Sequence, residues 1–332
     1  MNRLAPALLP ALLLFASGCA STSDLDELRD QPPVPMVVLV QWDADESPMH
    51  IRYGEETVEV PAEELTELLA QELRALDTGS MIGTKRDLRA IAPDLTLTMR
   101  QEEPIVCSHE GTSGFLASGG LWLVTWVGGL LVEDSAYRVA MNASCTFANS
   151  EDNRAERSIT GDVVELSFFD RNDLVSWPGL QSLVLPPFWT SDQTETTIDA
   201  LKRSAMRIAA RKIANDLKVG FDERYQNQLR CAVEMVQPAR NKSEVTGVSM
   251  PLDVRIRIDT DEDEEEPVTV EASINGGDYS ALEVQPDELN NLALRARGTL
   301  NGLAMGTDNW VRLRIRAEET FTRTIRLVPA KK

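Results

Sequence analysis

The run from Gly111 to Val132 constrains this chain most: 22 consecutive residues carry no charge. Its length matches a membrane span, and Trp122 and Trp126 are the residue type found at bilayer interfaces. Six of the 22 are glycine, with pairs at Gly119-Gly120 and Gly128-Gly129. Each glycine costs a helix about 1 kcal/mol relative to alanine, and paired glycines favour turns. Strands that should share one sheet flank the run, so a crossing would put two halves of a domain on opposite sides of a membrane. The expectation is a loop covered by its own fold or by a partner. A membrane-inserted or interfacial hairpin is the alternative, and a helix the third reading.

The flanks set the fold class. Met36–Val40 is continuously apolar and reads as a central strand, with Ile51–Tyr53 and Thr57–Val60 as short pieces at the sheet margin. Pro61 opens a helix to about Leu76, with Leu65, Leu68, Leu69, Leu73 and Leu76 on one face. A short helical turn is read at 87–90. Asp94–Arg100, Ser135–Cys145 and Arg157–Phe168 alternate as a three-strand antiparallel meander. A long helix follows from about Asp192 to Val219, and its Lys202, Arg203, Arg207, Arg211 and Lys212 read as a solvated basic face, with docking of an acidic partner second. Between them, residues 169–193 form a long apolar loop containing Trp177, Phe188 and Trp189, which must pack on its own sheet or on a partner.

From Val248 the pattern is period two: five strands separated by turn signals such as Asn275-Gly276 and Asn301-Gly302. The expected class is α+β: a mixed, largely antiparallel sheet packed by two helices (36–220), a polar connector (221–247) and an all-β sandwich (248–332).

Composition excludes several functions. A formal net charge of −20 repels nucleic acid and anionic lipid. With two histidines and no CxxC or Cys/His ligand spacing, a zinc site would need carboxylates or unpaired cysteines, and no transition-metal site is expected. Asp259, Asp261 and Asp263 have the spacing of a calcium loop, but Glu264 and Val270 stand where that loop needs glycine and glutamate. The run reads as a solvated acidic hairpin loop, with weak divalent-cation binding second. Ser113 lies near His109 and Glu110 without a nucleophile elbow, so a hydrolase is a minor reading. No motif implies a cofactor.

Arg3, the apolar run Leu4–Phe15, and Ala16-Ser17-Gly18-Cys19 resemble the lipobox of bacterial lipoprotein signal peptides. The resemblance implies cleavage before Cys19, a diacylglyceryl group on its thiol and an acyl chain, of the palmitate type, on the new N-terminus. At about 0.8 kcal/mol per buried methylene, such chains anchor a protein without a spanning helix. Ala20 is not an aspartate retention signal, which in a Gram-negative cell implies the outer membrane with the body facing the periplasm. Residues 19–35 then serve as a tether.

Export also exposes the chain to an oxidising space, where Cys107 and Cys145 are the pair that could bridge the meander, although simple hairpin register sets Cys107 nearer Ala136.

The order of elements over 36–220 is similar to the TolB N-terminal and CsgG-like periplasmic modules, and the C-terminal part to bacterial immunoglobulin-like domains. The CsgG likeness implies a homo-oligomer that inserts an apolar hairpin. Together these give the leading expectation: a non-enzymatic, lipid-anchored binding or assembly module that meets envelope proteins. Its contact residues are Phe115, Leu121, Trp122, Trp126, Trp177, Phe188 and Trp189. A secretion- or transport-associated oligomer that inserts 111–132 is the alternative.

Overall fold

Val34–Trp42 forms β1, apolar on both faces because it lies inside the sheet with a parallel neighbour on each side. The computed structural model describes residues 27–43, 49–89, 91–112, 115–125, 128–149, 153–173, 175, 177–181, 185, 192–218, 230–258, 267–290 and 292–330. The neighbours of β1 are β4 (Gly79–Gly83) and β5 (Leu95–Gln101). β2 (Met49–Tyr53) and β3 (Glu56–Val60) form a hairpin at one margin, where β2 runs parallel to β6 (Ile105–Thr112).

β7 (Glu133–Asn149) is the spine of the sheet. Along one edge its first half pairs with β6 and its second with β5; β8 (Arg154–Ser167) covers the other edge. A bulge lets β7 and β8 close up at Gly161, where a Cβ would come 1.7 Å from the Val139 carbonyl oxygen. The order is β3-β2-β6-β7-β5-β1-β4, with β8 on β7.

Five helices follow in chain order: α1 (Ala62–Ala75), α2 (Phe115–Thr125), α3 (Phe168–Arg171), α4 (Trp177–Gln181) and α5 (Thr194–Lys218). A 3-10 turn spans Gly128–Leu131. Leu65, Leu69 and Leu73 of α1 and Leu201, Ala205 and Ile213 of α5 share one core with Val38, Leu97 and Val139 of the sheet. Three basic residues of α5 are used locally. Lys202 pairs with Glu64 and Arg207 with Glu72, which ties α5 to α1. Lys212 donates to the Thr160 carbonyl at 2.8 Å, which covers part of the β8 edge.

The second body is a β-sandwich. One sheet has the order β14-β15-β11-β9, from β9 (Cys231–Gln237), β11 (Ser249–Ile258), β14 (Glu283–Pro286) and β15 (Leu294–Asn301). The other has the order β10-β17-β16-β12-β13, from β10 (Glu244–Val245), β12 (Thr269–Ile274), β13 (Ser280–Ala281), β16 (Asn309–Arg316) and β17 (Thr320–Pro329). Their inner faces meet through Val254, Ile256 and Ala296 on one side and Val311, Leu313 and Ile325 on the other. The α+β class followed by a sandwich is therefore the architecture.

The two bodies are joined by polar groups with few idle donors. Asn241 is buried; its Nδ2 donates to the Val34 carbonyl and to Ser80 Oγ, and its Oδ1 accepts from the Arg326 and Lys242 amides. Ser80 Oγ donates to the Thr324 carbonyl, Lys242 pairs with Asp77, and Glu319 links Asn153 to Arg230.

Two expectations need correction. Cys107 and Cys145 are free. Cys107 faces Val139 whereas Cys145 faces Met99, and six strand residues separate those positions by about 20 Å, beyond the reach of a disulfide. The stretch read as a connector contains β9, which pairs with β11, so the sandwich begins at Cys231. The short helical turn read at 87–90 lies in a run of turns over 85–89, where the Asp87 and Leu88 amides donate to the Thr84 carbonyl and Asp87 accepts from the Thr84 amide.

Candidate functional site

The uncharged run folds into α2 and the 3-10 turn, a helical pair laid on the end of the sheet. The expected loop is thus a helix over 115–125. Gly120 faces open space, so it costs propensity but blocks no contact, and Gly129 makes the packing possible. A Cβ on Gly129 would stand 2.5 Å from the Ser118 carbonyl oxygen and 2.6 Å from the Trp122 Cβ. α2 is 11 residues, about 16 Å, roughly half a hydrocarbon core, and among the described residues no helix is long and apolar enough to cross a membrane.

The layer is pinned from below by charge. Ser118 is buried; its hydroxyl donates to the Gly129 carbonyl at 2.9 Å and lies 3.4 Å from Asp134. Asp134, fully buried at the start of β7, takes a 2.6 Å hydrogen bond from Arg171 Nη2. The other Arg171 nitrogen, Nη1, pairs with Asp192, just before α5, and Asp192 also accepts from the Tyr137 hydroxyl. One guanidinium therefore joins β7, α3 and the start of α5 beneath the uncharged layer.

Burial raises the Asp134 carboxyl above its ordinary range, and Arg171 opposes that shift. Burial also works against the Arg171 charge, but Asp134 and Asp192 outweigh it and the guanidinium is held more firmly protonated. The Tyr137 hydroxyl is pushed up by burial and by the Asp192 carboxylate, so it remains a donor. His109 packs edge-on to Tyr137 at 5.1 Å and Tyr53 stands 6.1 Å away.

Above this clamp the surface is apolar. Leu116, Leu123, Val124 and Leu131 are 77, 78, 82 and 67 % exposed, and Trp177 on α4 is 71 % exposed. Val175, Leu180 and Leu185 are exposed as well. Of the expected contact residues, Trp177 lies open at the surface, while Leu121 and Trp122 are half-buried and lie beside Gly128 and Gly129 of the 3-10 turn. Packing of 169–193 on its own domain fails at Trp177 and Leu180. Trp126, Phe188, Trp189, the Phe115 side chain, Ser113 and the acidic run with Asp259, Asp261 and Asp263 lie outside the described residues, as does Cys19. Leu116, Leu123, Val124 and Leu131 fall inside the surface expected from sequence, Phe115–Val132 with Trp177–Trp189, although they are not among its individually named contact residues. The signal for them was the absence of any polar side on α2.

Other chemistry-bearing groups serve structure. Burial pushes the Cys107 and Cys145 thiols up to about 12 and raises that of Cys231, so none offers a thiolate near neutral pH. Among the described residues no group of three His, Cys, Asp or Glu side chains could hold a metal ion. A groove of about 730 Å³ runs between β8 and α5, with Glu133 and Glu165 across from Arg203 and Arg207, and contains no histidine, cysteine or lysine.

No family model matches the chain, and no curated protein matches it. Among solved structures it is similar to the solution structure of the carbohydrate binding module of the muscle glycogen-targeting subunit of Protein Phosphatase-1. The identity is 14 %, over 35 % of this chain and 89 % of that one, with a TM-score of 0.25. A superposition that loose transfers no ligand.

Proposed function

We propose that this is a lipid-anchored protein of the cell envelope, held through Cys19, that works by binding and assembly rather than by catalysis. Its contact surface is the layer formed by α2, the 3-10 turn and α4. The observation that carries the reading is the exposure of Leu116, Leu123, Val124, Leu131 and Trp177 over the rigid Asp134–Arg171–Asp192 clamp. Covering a leucine or valine side chain is worth about 1.5–3 kcal/mol, so leaving several open in water is a standing cost unless something covers them. The clamp makes the surface definite, because breaking a buried ion pair costs about 3–5 kcal/mol.

Two measurements test this. Labelled palmitate should enter the chain in its native host, and Cys19→Ser should abolish the label; retained label would remove the anchor from the account. Leu123→Asp with Val124→Asp should leave the circular dichroism unchanged and abolish whatever association the parent shows in envelope extracts. An association indifferent to both charges would place the contact elsewhere.

A further inference from the structure

We propose that what covers this layer is the hydrocarbon of the same bilayer that carries the Cys19 lipid, with the body lying along that membrane rather than standing on it. The inference rests on the two readings above, Cys19 as the anchor and the layer as the contact surface. Three observations support it.

First, the exposed part of α2 carries no charge, and its one side-chain hydroxyl, that of Thr125, is spent on the Leu121 carbonyl and the Gly128 amide. Protein interfaces are fixed by aromatic and arginine anchors and a hydrogen-bonded rim. Leu116, Gly120, Leu123 and Val124 supply shape and apolarity alone, and no charge occurs in α2. A hydrocarbon surface requires no complementary donors, and Trp177 is the residue type that sits at headgroup level.

Second, α2 has no polar face. Its inner side is taken by Ser118 and half-buried Leu121 and Trp122, and its outer side is apolar apart from Thr125, whose hydroxyl is spent on the Leu121 carbonyl and the Gly128 amide, so leaving that side in water carries a standing cost that hydrocarbon removes.

Third, reach fixes the orientation. Lys218, the last residue of α5, donates to the Leu28 carbonyl at 2.6 Å, so the tether leaves the body at the C-terminal end of α5. The clamp ties the uncharged layer to the other end, through Asp192. The 25 residues of α5 measure about 37 Å. Nine residues from Cys19 to Leu28 extend at most about 32 Å. An upright body with its apolar end down would outrun the tether. With α5 along the membrane, both ends reach it.

The exposed charges nearest the layer in sequence, Glu133 after the 3-10 turn and Asp170 and Asp173 before α4, are acidic. The docking is therefore apolar rather than electrostatic, and vesicles of phosphatidylcholine should bind better than vesicles of phosphatidylglycerol.

The test uses the lipidated full chain in phosphatidylcholine vesicles, with a benzophenone amino acid placed singly at Leu123, at Asp30 beside the tether, or at Asp278 in the sandwich. All three positions are exposed. Phospholipid adducts at 123 and 30, at least tenfold above those at 278, are the expected result. Adducts at 30 but none above background at 123 in vesicles, with adducts to protein at 123 in whole envelopes, would overturn the bilayer as occupant and leave the contact surface standing. No adduct of either kind at 123 would remove the contact surface itself. As a second readout, the Cys19→Ser protein should still float with phosphatidylcholine vesicles, and adding Leu123→Asp and Val124→Asp should weaken that binding at least tenfold; equal flotation of both would contradict the proposal.

Discussion

The two bodies handle arginine and aspartate in opposite ways. In the sandwich, Asp253, Arg255, Arg295 and Arg297 lie on facing strands. β11 and β15 set Asp253 opposite Arg297 and Arg255 opposite Arg295, with Asp287 beside them. Asp253, Arg255 and Arg295 are part-exposed and Arg297 half-exposed around the buried Asp287, and the pairs between β11 and β15 follow from strand register. Under the uncharged layer, Asp134, Arg171 and Asp192 come from three separate elements; Asp134 and Arg171 are buried and Asp192 is part-exposed. The sandwich network follows from register. The buried one fixes where an apolar surface stands.

That difference can be broken most forcefully at its centre. Arg171→Met leaves Asp134 without its partner in the interior and should cost about 3–5 kcal/mol in denaturant titrations; a loss below 1 kcal/mol would reduce the clamp to an ordinary ion pair. Next, Gly129→Ala pushes a methyl group into the Ser118 carbonyl and Trp122, for about 1–3 kcal/mol of overpacking. Hydrogen exchange should quicken in 115–131 and leave the sandwich unchanged. Arg297→Ala, at a half-exposed pair in the sandwich, should cost no more than about 1 kcal/mol.

Acid should separate the two networks by sign. The Leu289 amide and then Arg255 hold the Asp287 carboxyl low. Burial works against Asp253, but Arg295 and Arg297 outweigh it and hold that carboxyl low too. Their contribution is present above about pH 4 and is lost as the pH falls through the lowered folded values. Asp134 is raised, so its contribution runs the other way: full below about pH 4 and lost as the pH rises through its folded value. Between pH 6 and 3, exchange protection should therefore fall in β11 and β15 before it falls around Asp134. Loss in the reverse order would contradict the assignment.

The legible parts of the chain were those governed by period. The leucine face of α1, the apolar stripe of α5 and the alternating strands of the sandwich are local patterns that one packed surface enforces. Strand β9 escaped because Cys231-Ala232-Val233 is short and is followed by Glu234 and Pro238, so its place is decided by pairing with β11. The clamp was not legible: 37 residues separate Asp134 from Arg171, and no local rule brings them together. The helix in 115–125 was misjudged because glycine propensity was weighed without knowing that Gly120 would face open space.

The central claim is that the uncharged layer is open at the surface and must be covered. The most direct measurement is light scattering on the Cys19→Ser protein purified without detergent, beside the same chain carrying Leu123→Asp and Val124→Asp. The account predicts self-association of the first and a monomer for the second. A clean monomer in both would show that the layer needs no cover, and would contradict the account.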